Sequence, residues 1–117
     1  MNTTLMAEIA ATDNTFSFDG AHWRGKCLIC NGWLSFDART GYGANIEHIL
    51  PRSLGGDNSL ANLGLTHPRC NGEKGRRWDP KRRHRADPAR YRELVRTLLE
   101  RRKARMRSAE CGARSAE

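Results

Sequence analysis

Two pairs of metal-competent side chains with the same spacing constrain this chain more than any other feature. Cys27 and Cys30 are separated by two residues, as are His67 and Cys70, and residues 31–66 lie between the pairs. A two-residue spacing lets one short turn present two ligands to a single tetrahedral ion, and Zn(II) accepts three thiolates with one imidazole. A redox-active CxxC is the main competing reading of Cys27 and Cys30, but no thioredoxin-like strand–helix–strand pattern surrounds it. His67 is the weaker ligand, since a histidine before a proline can simply cap a helix, and its spacing to Cys70 favours coordination. The expected site is a structural zinc on Cys27, Cys30, His67 and Cys70. Such a crosslink suits a chain of 117 residues, because a domain of this size buries a modest core.

Hydrophobic residues make up 38% of the chain and aromatics 7%, so part of it is expected to be a solvated helix or a disordered tail. The formal net charge is +8, which points to a polyanionic partner whose phosphates Lys and Arg would neutralise. The charge is uneven: residues 76–107 hold fourteen Lys or Arg against four Asp or Glu, and the remainder seven against nine. No apolar run approaches a membrane span, and the N-terminus lacks a basic region followed by an apolar core, so a soluble, cytoplasmic protein is expected.

Residues 1–20 show no sustained period and are expected to form a flexible arm, with a helical turn near Leu5–Ile9. After the Cys27–Cys30 knuckle, Trp33–Asp37 alternates as a short strand does, Gly41 and Gly43 turn the chain, and Ala44–Ile49 is the expected return strand. Glu47 and His48 therefore sit at a strand end before Pro51. Leu54–Asp57 reads as a turn, Asn62–Thr66 as a second extended piece, and Pro68 as the first residue of a helix that Gly75 can end. Residues 76–85 read as a basic linker. Asp87 and Pro88 then start a helix with Tyr91, Leu94, Val95, Leu98, Leu99 and Met106 on one face, and Arg90, Glu93, Arg96, Thr97 and Arg101 turned away. The divisions expected are a compact core over 21–79, a basic linker and helix over 80–107 and a disordered tail over 108–117, which contains Cys111 as a spare thiol. His22 and His84 are read as surface residues, and Trp23, Trp33 and Trp78 as packing around the core.

The order CxxC, EHILPRSLGG, NL and HxxCNxxKG, covering about residues 27–75, resembles the HNH endonuclease family, the zinc-containing branch of the ββα-metal nucleases. The resemblance implies a small α+β fold in which two strands and a helix surround a catalytic divalent ion, Mg2+ or Mn2+, beside a structural Zn2+, with the C-terminal basic amphipathic helix as an addition. It makes His48 the general base, Glu47 and Asn71 the ligands of the catalytic ion, and Asn62 the middle asparagine. Glu47 stands where Asp is common in the family, and His67 where the zinc set usually has Cys. It also implies products with 5′-phosphate and 3′-hydroxyl ends, and a bacterial or phage-infected cell as the setting.

The residue types suit that chemistry. Phosphodiester hydrolysis needs a nucleophilic water, neutralisation of charge on the phosphate and stabilisation of the departing oxygen. Glu47 and Asn71 offer the hard oxygen donors that Mg2+ or Mn2+ prefers. Imidazole, with an ordinary pKa of about 6.5, can take a proton from water near pH 7. Successive strand residues point to opposite sides, so Glu47 and His48 can flank one phosphate only where the strand ends or twists. Asn62 is expected to hold the glycine loop through hydrogen bonds to backbone. Lys74 is weighed evenly between a phosphate contact and a solvated lysine. Arg52, Arg76, Arg77, Lys81, Arg82, Arg83 and Arg85 are candidate contacts to the DNA backbone, with weak sequence preference. The functional expectation is a metal-dependent DNA endonuclease. The alternatives are a non-catalytic zinc-stabilised nucleic-acid-binding module and an accessory subunit of a phage DNA-packaging machine.

Overall fold

The computed structural model describes residues 2–78 and 88–106, with residues 75–78 described by their backbone only. The linker segment 79–87, with Lys81, Arg82, Arg83, His84 and Arg85, and the tail with Cys111 lie outside the described residues, as does the side chain of Trp78. Within the described part the chain is a small mixed helix-and-sheet fold. Its elements are α1 (Thr3–Ala11), β1 (Ser17–Phe18), β2 (His22–Lys26), β3 (Trp33–Asp37), β4 (Asn45–His48), β5 (Leu63–Thr66), α2 (Pro68–Trp78) and α3 (Pro88–Arg105).

The arm expected over residues 1–20 is instead ordered. Asn2 accepts a hydrogen bond from the Leu5 N–H at 3.0 Å, which satisfies one of the free donors at the start of α1. Met6, Ile9 and Ala10 then fall on one face, and all three are fully buried in the main core. Apolar residues lie on several faces of this short helix, so no period stands out in sequence, yet the stripe of Met6, Ile9 and Ala10 docks it. The structured core accordingly begins before residue 21.

β1, β2 and β3 form an antiparallel sheet in that order. In β3 the alternation sends Leu34 and Phe36 inward and Trp33 and Ser35 outward. Trp33 is 62% exposed, which overturns the core role expected for it; Trp23 is half-buried against the core. β3 pairs with β2 and not with the expected return strand, because the chain leaves the sheet after Asp37. Asp37 Oδ1 accepts from the N–H groups of Arg39 and Thr40 at 2.8 and 3.0 Å. Gly43 has φ +117°, and a Cβ there would lie 2.4 Å from the Ser35 carbonyl oxygen, so the chain passes over the sheet where only glycine fits.

β4 forms a separate two-stranded antiparallel sheet with β5, in which Glu47 pairs with Gly64 and His48 with Leu63. α2 follows β5 directly and runs through Gly75 to Trp78. The expected stop at Gly75 fails because an interior glycine weakens a helix without ending it.

A second cluster joins Leu28 and Ile49 to Tyr91, Val95 and Leu98 of α3. The last turns of α3 also send arginines inward. Arg101 Nη1 donates to the carbonyls of Leu28 and Ile29 at 2.6 and 3.0 Å, so it does not belong to the outward face expected for it. Arg102 is fully buried and donates to the Leu60 carbonyl at 3.1 Å and the Thr12 hydroxyl at 2.6 Å. Arg105 donates to the Lys26 carbonyl at 3.0 Å and to Asn31. Burial lowers the pKa of its guanidinium, against the pull of Asp13. Among the described residues no helix is long and apolar enough to cross a membrane.

Because Arg102 links α3 to both α1 and the turn before β5, Arg102→Ala should remove charged hydrogen bonds and leave a cavity, lowering the unfolding free energy by about 3 kcal/mol. Urea denaturation measures it, and an unchanged midpoint would show that these links are dispensable.

Candidate metal centre and adjoining cavity

The knuckle between β2 and β3 is closed by backbone bonds from Cys27 N–H to the Gly32 carbonyl at 2.8 Å and from Asn31 N–H to the Cys27 carbonyl at 3.0 Å. Asn31 takes φ 66°, a conformation that asparagine tolerates better than most residues. β5 delivers His67 to the knuckle, where its backbone N–H donates to Cys27 Sγ at 3.4 Å. Cys70, in the first turn of α2, completes the set. The ligand atoms of Cys27, Cys30, His67 and Cys70 all lie within 4.8 Å of one another.

This donor set fits zinc. His67 Nδ1 is 3.4 Å from Cys30 Sγ and 3.7 Å from Cys70 Sγ, while a nitrogen and a sulfur on one tetrahedral zinc ion lie about 3.6 Å apart. His67 Nε2 is 2.8 Å from the Trp33 carbonyl oxygen. That bond requires the proton on Nε2 and leaves the Nδ1 lone pair facing the thiols, an orientation that outer hydrogen bonds usually impose on a histidine ligand. Burial works against ionising Cys30, but the Gly32 N–H and hydrogen bonds with Cys27, Cys70 and His67 bring its pKa down to about 7. Burial and the adjacent Cys27 and Cys30 push the Cys70 thiol up to about 12. Three thiols this close cannot all ionise without a cation between them.

Beside this cluster, β4, the start of α2 and Tyr91 of α3 enclose a cavity of about 540 Å³. Glu47, His48, Arg52, Asn71 and Lys74 all line it. His48 is the last residue of β4, and this strand end brings both it and Glu47 to the cavity wall. Asn71 lies in the first turn of α2, its N–H bonded to the His67 carbonyl at 3.1 Å. Arg52 is exposed at the rim. The side chains of Arg76 and Arg77 lie outside the described part.

Glu47 is buried, and its Oε2 is 2.5 Å from Lys74 Nζ, which is buried as well. Burial raises the Glu47 pKa, while the charge and hydrogen bond of Lys74 and the charge of His48 act to lower it. Lys74 is therefore not a solvated lysine. Its ammonium is committed to Glu47, lies 3.4 Å from the Tyr91 hydroxyl and 5.2 Å from the centre of that ring, and can meet a phosphate only if the group enters the cavity.

Asn62 grips both sides of the glycine loop. Its Oδ1 accepts from the Leu50 N–H at 2.9 Å, and its Nδ2 donates to the carbonyls of Leu50 and Asp57 at 3.1 and 2.9 Å. Gly56 is held so close that a Cβ there would lie 1.7 Å from the Leu50 carbonyl oxygen. The same loop presents Asn58, whose Oδ1 is 2.7 Å from His48 Nε2. With that oxygen as acceptor, Nε2 carries the proton and Nδ1 is the basic atom of the neutral ring. Sequence reasoning missed Asn58, because a polar residue in a glycine-rich loop carries no distinguishing pattern. It also missed the Tyr91 hydroxyl, since tyrosine in a helical stripe reads only as an apolar residue.

Residues 30–78 match the family model for HNH endonucleases, over a segment that contains the cavity residues from Glu47 to Lys74 but neither Cys27 nor α3. No curated protein and no solved structure matches the chain.

Metal analysis of the purified protein should find one zinc per chain, and stripping it should lower the melting temperature by more than about 10 °C, since a shared ion fastens two distant segments. An unchanged melting curve after complete removal would exclude a structural ion at these four residues.

Proposed function

We propose that the HNH endonuclease match marks a working nuclease, in which the chain hydrolyses DNA phosphodiester bonds with a divalent ion bound in the cavity. The observation that carries this reading is the convergence of Glu47, His48 and Asn71 on one cavity within the matched segment. β4, β5 and α2 would be the ββα-metal unit, with α3 an added basic helix and Cys27, Cys30, His67 and Cys70 holding a structural zinc.

Glu47 and Asn71 would hold the ion. Their oxygen donors, one anionic and one neutral, suit Mg2+ or Mn2+. When bound, such an ion supplies Lewis-acid stabilisation of the charge that develops on the phosphate and the departing oxygen. Lys74 keeps the Glu47 carboxylate oriented and compensates its burial, which makes it a positioning residue. His48 Nδ1 takes the proton from the attacking water, while Asn58 fixes the tautomer and the ring's direction. Asn62 acts at one remove, by fixing the loop that presents Asn58. Arg52 at the rim would contact the DNA backbone, as would Arg76 and Arg77 farther along α2, so binding should weaken as salt rises. Contacts to phosphate alone imply weak sequence preference. Cleavage would leave 5′-phosphate and 3′-hydroxyl ends.

With supercoiled plasmid, the zinc-loaded protein should produce nicked or linear DNA when Mg2+ or Mn2+ is added. His48→Ala should cut at least about 100-fold more slowly, the usual contribution of a general base. Equal rates would remove His48 from the chemistry. No conversion by the wild-type protein with either ion, alongside retained DNA binding, would establish a non-catalytic binding module instead.

Replacing Asn58 by alanine should lower the cleavage rate while leaving the melting temperature within about 2 °C, because the exposed side chain contributes little to packing. Rates equal to the wild type at every pH from about 6 to about 9 would show that Asn58 does not orient the base.

A further inference from the structure

The outer face of the β1–β3 sheet carries a group that neither the fold nor the cavity uses. Trp33 is 62% exposed, although its ring is among the largest apolar surfaces a protein can bury. The alternation of β3 forces this: Leu34 and Phe36 take the core side, so Trp33 must face out. On β2, Lys26 pairs directly with Trp33 and Arg24 with Ser35, which puts both cations on the same face as the ring. Arg24 Cζ lies 5.1 Å and Lys26 Nζ 5.6 Å from the ring centre. Among the described residues neither cation has a carboxylate partner. Asp37, on the same face of β3, is at the other end of the strand, where it caps Arg39 and Thr40 and sits 3.9 Å from His22.

We propose that Trp33, with Arg24 and Lys26, is a stacking platform for an unpaired base of a DNA strand, the ring receiving the base and the two cations its flanking phosphates. The proposal rests on the nuclease reading for its partner, and it adds a second contact surface to the cavity. Three observations carry it. The ring has a large solvent-facing area with cations but no acid beside it, which is the composition of single-strand binding surfaces. The strand that carries the ring is anchored: the Trp33 carbonyl accepts from His67 Nε2 at 2.8 Å, so the platform shares a frame with the Cys–His cluster. That frame also reaches the cavity, because Pro68, the residue after His67, lines it. A duplex offers only backbone and base edges, whereas a strand opened near the cleavage position offers a ring face.

The test is fluorescence anisotropy with the zinc-loaded full chain carrying His48→Ala, without added Mg2+ or Mn2+, so that the strand stays intact. Its partners are a labelled single strand of about twelve nucleotides, the same strand with abasic sites, and the corresponding duplex. The parent should bind the base-bearing strand about tenfold more tightly than the abasic one. Adding Trp33→Ala should remove about tenfold in single-strand affinity and less than about twofold for the duplex, while Trp33→Phe should keep most of it. Equal affinity of the parent for the base-bearing and abasic strands overturns the platform, whether or not any variant folds. So does an undiminished Trp33→Ala variant, or one that loses single strand and duplex alike. Plasmid cleavage by the wild type reports on the nuclease reading separately: cleavage without base-dependent binding removes the platform alone, and base-dependent binding without cleavage removes the nuclease alone.

Discussion

Three thiols and an imidazole from two distant segments of the chain converge on one point, and the geometry of the fold turns on it. Cys27 and Cys30 come from the turn between β2 and β3, His67 and Cys70 from the junction of β5 and α2, and their ligand atoms meet within 4.8 Å. The segments between them supply the hairpin of β4 and β5 and the glycine loop. Whatever fixes the cluster therefore also fixes where Asn71, one residue beyond Cys70, stands relative to Glu47. Hydrogen bonds acidify the Cys30 thiol, while burial and the neighbouring thiols suppress ionisation of Cys70, so the cluster resists full ionisation on its own.

The C-terminal helix divides its charge between two uses. Arg101, Arg102 and Arg105 turn inward to backbone carbonyls and polar side chains of the knuckle, the turn before β5 and α1. Arg96 is paired with Glu93 and Glu100 on the surface, where such pairs contribute little. The excess of arginine in this part of the chain is thus only partly available to phosphate. Guanidinium suits the inward role, because its planar fork can serve several carbonyls at once.

At the cavity, the Glu47–Lys74 pair joins β4 to α2, and Tyr91 joins α3 to that pair. A buried carboxylate without a partner would favour its neutral form. Lys74 opposes that tendency, though burial outweighs it and the Glu47 pKa stays raised; the pair lies at the wall of a cavity that also presents an imidazole and an amide. Among the described residues, the helix outside the matched segment reaches the cavity through Tyr91.

The identical spacing of the two ligand pairs, the strand end at Glu47–His48 and the order of motifs up to Lys74 are local patterns, and the sequence by itself determined them. It also carried the apolar stripe of α3, since helical period and chemistry coincide there. Strand pairing was not legible, because β3 could have paired on either side, and the capped turn at Asp37 with the crossing at Gly43 decided it. α1 was not legible because its docking rests on three residues whose partners lie far along the chain. The destinations of Lys74, Arg101 and Arg102 were beyond reach for the same reason: a cation's sequence neighbours say whether it can be charged, but only tertiary packing decides whether water, a carbonyl or a buried carboxylate receives it.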